Sequence, residues 1–375
     1  MIYRRPSEKV WPPESVTLVT QFTLSRLSRF ERTLREWDGP LSITIYLTDT
    51  TDIVLLESYL SQAINRDAFA NLALTIVKPN YSIDELALTE RLRYPINKLR
   101  NLALGLAPTL YVVVCDVDFV PSKNMHHLLK SRGVPLIKYP TSTTASPTLR
   151  RTAVVVSAFA LAPSFDAPYP ATSSQLAALL SSTPPQATLT DPNAGHGPSS
   201  PSLLFESPSL FVSPRTWPPK SWSYDICFEP QWEPYYLLHR PSHPLYDERF
   251  TDQGGDKQSH TLRLNALGYE FKVLRDVWFM HPPKGSDESK EMDRWPSARL
   301  VNPKDEERNG EEVLVDPAHF SIAQSDENRF RYFQDFLPEM EREWGWNVRW
   351  ARGCGARVVG ERNFGRAGSK SVFGL

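Results

Sequence analysis

Two aspartates one residue apart, Asp116 and Asp118, close an apolar run, Tyr111-Val112-Val113-Val114-Cys115, and form the clearest chemistry-bearing pair of the chain. A β-branched and aromatic run ending in acids predicts a buried parallel strand whose end emerges at the carboxyl edge of an α/β sheet, where open α/β folds bind ligands. Uncompensated like charges this close are costly to bury. Mg²⁺ or Mn²⁺ carrying a diphosphate, by contrast, needs one or two carboxylates and leaves its other positions to phosphate and water. Turn capping by Asp116, with Asp118 merely exposed, is the alternative for this stretch alone.

Three clusters accompany the pair. Asn97, Arg100 and Asn101 share one helical face at i, i+3 and i+4, a face suited either to solvent or to the sugar and phosphates of a nucleotide. Thr251-Asp252-Gln253-Gly254-Gly255-Asp256-Lys257 joins a Gly-Gly turn to an apolar-periodic run (Leu262, Leu264, Leu267), so Asp256 stands near a helix N-cap. His281, in Trp278-Phe279-Met280-His281-Pro282-Pro283, follows a strand and precedes prolines that hold it in a loop; a lone histidine is more often structural, but a metal site short of a ligand would use it.

The elements that must position these groups alternate. Strands are predicted at 16–22, 41–47, 72–77, 111–120 and 153–161, and helices at 25–37, 53–64, 94–106 and 124–130. Such alternation implies an α/β domain with a mostly parallel central sheet flanked by helices. Residues 162–220 are rich in Pro, Ser, Thr and Ala and read as a low-complexity, poorly ordered insertion. A strand at 271–274 and an amphipathic helix at 329–346 follow, and 347–375 reads as a flexible Gly/Arg-rich tail.

Composition narrows the function. In 375 residues, 41% hydrophobic, a sizeable core is available for one domain, taken here as 14–346. A net charge of -1 gives no global attraction to nucleic acid. Three cysteines are too few and too scattered for a disulfide framework, although one bridge is possible, and Cys115 suits a core position. No apolar stretch approaches a transmembrane length, and no signal peptide is evident; the abrupt entry into a strand at Val16 also fits a domain fragment.

The ordered motifs resemble glycosyltransferase family 49, the group of the LARGE-like second catalytic domain and the beta-1,4-glucuronyltransferases. The resemblance rests on Val16-Thr17-Leu18-Val19, Gly39-Pro40-Leu41-Ser42, Tyr94-Pro95-Ile96-Asn97, Leu99-Arg100-Asn101 and Asp116-Val117-Asp118-Phe119-Val120-Pro121. It continues through Trp232-Glu233-Pro234-Tyr235, Tyr246-Asp247-Glu248-Arg249-Phe250, Lys257, His260 and His281. It implies a GT-A fold and a metal-dependent inverting transfer from a UDP-sugar, with glucuronate as the expected sugar, to a glycan acceptor in the Golgi lumen. By position, Asp116, Asp118 and His281 would hold Mn²⁺ or Mg²⁺, and Asn97, Arg100, Asn101 and Lys257 would serve the donor. Asp256 is the expected general base, with Asp252 and Glu233 as rivals, and Trp232 and Tyr235 are candidates to stack on an acceptor sugar. Where relatives often carry Gly-Trp-Asn-Lys, this chain has Gly254-Gly255-Asp256-Lys257.

Two other functions fit parts of the pattern. In a haloacid-dehalogenase-like phosphatase Asp116 would be phosphorylated and Asp118 would be the acid/base, but that motif opens its domain, whereas three strand-helix units precede it here. A catalytically silent GT-A carbohydrate-binding protein is the other.

Overall fold

The computed structural model of the chain describes residues 1–137 (except 49, 83–86, 88–89 and 92), 151–190, 222–283 and 317–351. In chain order the first half runs β1 (Ile2–Arg5), β2 (Val16–Thr23), α1 (Leu27–Glu36), β3 (Leu41–Tyr46), α2 (Thr51–Ser61), α3 (Ala63–Ala70), β4 (Ala73–Val77), α4 (Ile96–Leu106) and β5 (Tyr111–Val114). Then come β6 (Val120–Pro121), α5 (Met125–Leu128), β7 (Arg151–Leu161), α6 (Ser173–Ser181), β8 (Ala187–Leu189), β9 (Ser223–Ile226) and β10 (Tyr235–His239). The chain closes with α7 (Asp256–Ala266), β11 (Tyr269–His281), α8 (Pro317–Phe330) and α9 (Leu337–Trp344).

Among the described residues eleven strands build one sheet, ordered β1-β4-β3-β2-β5-β10-β7-β11-β6, with β8 beside β7 and β9 beside β11. The parallel character expected from the alternating units holds for β4-β3-β2-β5 and returns between β7 and β11. Elsewhere the sheet is antiparallel, chiefly because β10 enters between β5 and β7 against both. Its aromatic run, Tyr235-Tyr236-Leu237-Leu238, carries no alternation that would mark a strand.

The central strands are buried on both faces, so their two side-chain sets feed different cores. On β10, Tyr235 and Leu237 join one apolar cluster while Tyr236 and Leu238 join the other, and on β7 Val154 and Val156 part from Val155 in the same way. Helix α4 lies across β2, β3 and β4, with Leu99, Ala103 and Leu104 buried. Cys115 is a buried free thiol, as its place in the apolar run implies, and Cys227 is disulfide-bonded. None of the described helices is long and apolar enough to cross a membrane.

Several boundaries differ from the sequence reading. The strand expected over 111–120 is two strands separated by a turn, in which the Phe119 N–H donates to the Asp116 carbonyl at 3.1 Å. Ahead of residue 14, β1 pairs with β4 at the sheet edge. Part of the expected disordered insertion is folded. Helix α6 starts with a capping box, Thr172 and Gln175 each bonding the other's backbone N–H at 3.2 Å, and buries Leu176, while β8 pairs with β7. A capping box and one buried leucine supply the local order that overall composition conceals. Residues 191–221 lie outside the described part. The terminal helix starts at Pro317, well before 329, and the tail's first residues pack, with Val348 buried and its carbonyl accepting from Asn265 Nδ2 at 2.9 Å. Residues 352–375 lie outside the described part.

Candidate active site

The turn between β5 and β6 carries Asp116 and Asp118 past the end of the parallel strands. Strand β6 pairs with the end of β11, Met280 opposite Val120, and this pairing sets His281, the next residue, beside the turn. The His281 ring packs edge-on against Phe119, with centroids 5.2 Å apart, and its Nε2 stands 3.6 Å from Asp118 Oδ2. A histidine 163 residues downstream thus meets the acidic pair through one two-residue ladder.

The two acids have different surroundings. Asp116 is gripped by three donors: Arg100 Nη2 on Oδ1 at 2.8 Å, and the Tyr235 hydroxyl and Lys257 Nζ on Oδ2 at 2.8 and 2.7 Å. Asp118 meets Arg29 Nη1 at 3.3 Å and His281. Burial works to raise the Asp118 carboxyl, but the hydrogen bond with His281 and the field of Arg26 hold it below its ordinary range. Arg29 had not been singled out in the sequence, although Arg26, Arg29 and Arg32 recur every third residue, the spacing that brings helical side chains to one face.

The expected donor-binding face of α4 turns inward. Asn97 and Arg100 are 0% and 1% exposed, and their bonds go to protein groups. Asn97 Nδ2 donates to the Asp247 carbonyl at 2.8 Å, and Asn101 exchanges bonds with the Tyr246 backbone at 2.9 and 3.0 Å while also donating to Glu248. These amides hold the 246–248 segment instead of presenting a surface to a ligand. Arg100 ties the segment to the acids: Nη1 donates to Asn97 Oδ1 at 2.9 Å and to Asp256 Oδ2 at 2.5 Å, and the guanidinium lies 5.3 Å from the Tyr246 ring centroid. Lys257 also faces Asp116 and lies 3.5 Å from Glu233 Oε2. Burial works to lower the Lys257 ammonium, but Asp116, Glu233 and Asp256 raise it above its ordinary value, so it stays charged.

The carboxylates proposed as bases separate clearly. Asp256, the first residue of α7, is buried against Arg100; burial works to raise its carboxyl, but Arg100 and Lys257 hold it below the usual range, as the helix N-terminus also favours. It is a poor proton acceptor. Glu233 is pushed up to about 7 by burial, against the pull of Lys257. Burial likewise pushes Asp252 up to about 6, with Arg26 opposing. The N-cap of α7 is Gly255 at φ 74°, where a Cβ would fall 2.7 Å from Phe250 Cε1, so a tryptophan of the Gly-Trp-Asn-Lys pattern would not fit this turn.

Trp232 and Tyr235, candidates for an acceptor platform, are core residues. They are 5% and 2% exposed; Trp232 packs on Phe271, and Tyr235 packs on Phe119 and Phe279.

The donor set suits an open cation site. Asp118 and His281 lie almost as close as two adjacent ligands of an octahedral ion, which stand roughly 3 Å apart for bonds of about 2.1 Å. Among the described residues no three His, Cys, Asp or Glu side chains close a cage. Asp116, with both oxygens already bonded, would orient the site from behind.

The sequence profile of a family described as glycosyl-transferase for dystroglycan matches residues 57–186 and 218–307, which include Asp116, Asp118, Glu233, Lys257 and His281. The chain belongs to glycosyltransferase family 49. Its sheet of eleven described strands flanked by helices is of the expected α/β class, and membership of a family described as glycosyl-transferases, with three strand-helix units ahead of the acidic pair, speaks against the phosphatase reading. It is 29% identical to the xylosyl- and glucuronyltransferase LARGE2s of Gallus gallus over 271 residues, 72% of this chain and 32% of that protein. With LARGE2 of Mus musculus it shares 29% over 273 residues, 72% of this chain and 34% of that protein. The match thus spans about a third of these relatives' length. Among solved structures, S. aureus TarS with UDP-GlcNAc overlaps at a TM-score of 0.35 and 12% identity, covering 89% of this chain and 79% of that one. GalNAc-T7 with UDP, GalNAc and Mn²⁺ gives 0.37 and 9%, covering 88% and 58%. Overlap this loose says nothing about donor or acceptor.

Proposed function

We propose that this family 49 chain transfers a sugar, glucuronate in the first instance, from a UDP donor to a glycan hydroxyl with inversion and with the help of Mn²⁺ or Mg²⁺. The observation that carries the reading is the Asp118–His281 pair at 3.6 Å, set beside an Asp116 already paired with Arg100 and Lys257 and hydrogen-bonded by Tyr235. Asp118 and His281 would hold the cation, whose chemistry there is to offset the charge that gathers on the leaving diphosphate. Arg29, paired with Asp118 at 3.3 Å, would supply a second positive charge for the diphosphate. Asp116 keeps Arg100 and Lys257 in place, so the floor of the site is rigid before the donor arrives. An Asp116 with both oxygens bonded is ill-suited to the nucleophilic role of a phosphatase.

The activities of the relatives, xylosyl and glucuronyl transfer, name the donors to try. A disulfide at Cys227 accords with an oxidising compartment and hence with the Golgi lumen. The test is UDP release from UDP-glucuronate and UDP-xylose, with aryl xylosides and glucuronides as acceptors, in Mn²⁺ and then in EDTA. Release with Mn²⁺ and loss in EDTA are expected, and Asp118→Ala should lose at least about 100-fold in rate while still unfolding in a single cooperative transition. Equal turnover in EDTA, or an active Asp118→Ala protein, would remove the cation from the mechanism.

A further inference from the structure

An inverting transfer needs a carboxylate that can take a proton, and the acids at the floor of the site are committed elsewhere. Asp116 and Asp256 are bound to Arg100, Asp118 to Arg29 and His281, and Glu233 to Lys257. Glu233 moreover shares the ammonium that grips Asp116, so moving it would disturb that cluster. One acid near the site remains.

Residues 251–255, between Phe250 and α7, form a loop that is pinned from outside. The Asp252 N–H donates to the Tyr94 carbonyl at 2.6 Å, next to the start of α4. From α8, Gln324 Nε2 donates to Thr251 Oγ1 at 3.0 Å, and Asn328 Nδ2 donates to the carbonyls of Thr251 and Gln253, the latter at 3.1 Å. Gln324 and Asn328 are 3% and 0% exposed, and these two buried amides hold one loop, Asn328 by its backbone and Gln324 by the Thr251 side chain. The loop's acid is left available: the half-buried Asp252 side chain makes no hydrogen bond or ion pair with a described residue, and the charged groups facing it are Arg26 and Asp256.

We infer that Asp252 is the general base of the transfer, and that α8, which lies beyond the matched family profile, holds the loop that presents it. The inference rests on the function proposed above. The acceptor oxygen attacks the anomeric carbon on the face opposite the diphosphate, and its proton passes to the Asp252 carboxylate. As the new C–O bond forms, the bond from the anomeric carbon to phosphate oxygen breaks, and its electron pair leaves on UDP. A carboxyl raised to about 6 is ionised at neutral pH and a better proton acceptor than an exposed aspartate.

The experiment compares wild type, Asp252→Asn and Asp252→Glu, using the donor and aryl glycoside that wild type turns over, with UDP affinity measured by calorimetry in Mn²⁺. Asp252→Asn should bind UDP within twofold of wild type, lose about 10²- to 10⁴-fold in kcat, and lose the acid limb of kcat/KM near pH 6. Asp252→Glu should regain part of the rate together with the limb. An Asp252→Asn rate within tenfold of wild type, with the limb intact, overturns the assignment, as does a loss of UDP affinity. A wild-type protein that neither binds UDP nor releases it would overturn the underlying reading instead.

Discussion

Arg100 holds Asp116 with one terminal nitrogen and Asp256 with the other while almost wholly buried, an arrangement that lysine cannot reproduce with a single point charge. Removing one member of a buried ionic cluster leaves the others uncompensated, which costs about 3–5 kcal/mol. Arg100→Met should therefore lower the unfolding free energy measured by urea titration by that amount, and adding Asp256→Asn should recover more than half of the loss, because the stranded carboxylate is then neutral. Strictly additive effects of the two substitutions would show that the pair does not act as a unit. At this scale the sequence was informative about identity but not about direction. The i, i+3, i+4 spacing of Asn97, Arg100 and Asn101 does define one face, yet spacing alone leaves open whether a face meets solvent, ligand or protein. It meets the 246–248 segment, about 145 residues away, which no local pattern encodes.

At the scale of elements, the βα units of the first half were legible because each contains its own signals, such as Gly39-Pro40 after α1 and Pro95 before α4. What escaped was long-range pairing: β10 between β5 and β7, and the two-residue β6 that delivers His281. Neither has a local signature, and both decide the site. Helix α8 belongs here too, since its contribution is made through two amides on a loop more than 70 residues upstream. Asn328→Ala would leave the carbonyls of Thr251 and Gln253 without that donor in a buried setting, a loss of about 1–3 kcal/mol. We expect kcat to fall at least tenfold with donor KM unchanged, since the loop and not the cation site is loosened. A rise in donor KM at constant kcat would mean that α8 supports the donor side.

For the whole molecule, pH dependence is a contest between buried groups of opposite tendency. His260 stacks on Tyr246 at 4.0 Å and meets His243 edge-on, and burial pushes His243 down to about 4 and His260 well below its ordinary value. Both are neutral in the fold. Above the unfolded value near 6.5 they are neutral in either state and have no effect; as pH falls below it the unfolded chain binds protons that the fold refuses, and stability is lost. Asp252 and Glu233 act the other way. Their raised folded values mean that ionisation costs stability above about 7, and that the cost is relieved as pH falls through 6 towards their unfolded values near 4. Asp118 and Asp256, held low, lose their contribution only below about 4. Between pH 7 and 4 the two sets oppose, so the wild-type profile should be flatter than either set would make it. Differences between variants expose the parts. His243→Gln removes one destabilising group, and its stability relative to wild type should rise by on the order of 3 kcal/mol from pH 7 to pH 4. Asp252→Asn should show the reverse trend, gaining relative to wild type at pH 7 and losing that gain by pH 4. Denaturant midpoints at the two pH values measure both, and parallel profiles for the three proteins would mean that these side chains are not buried as uncompensated groups.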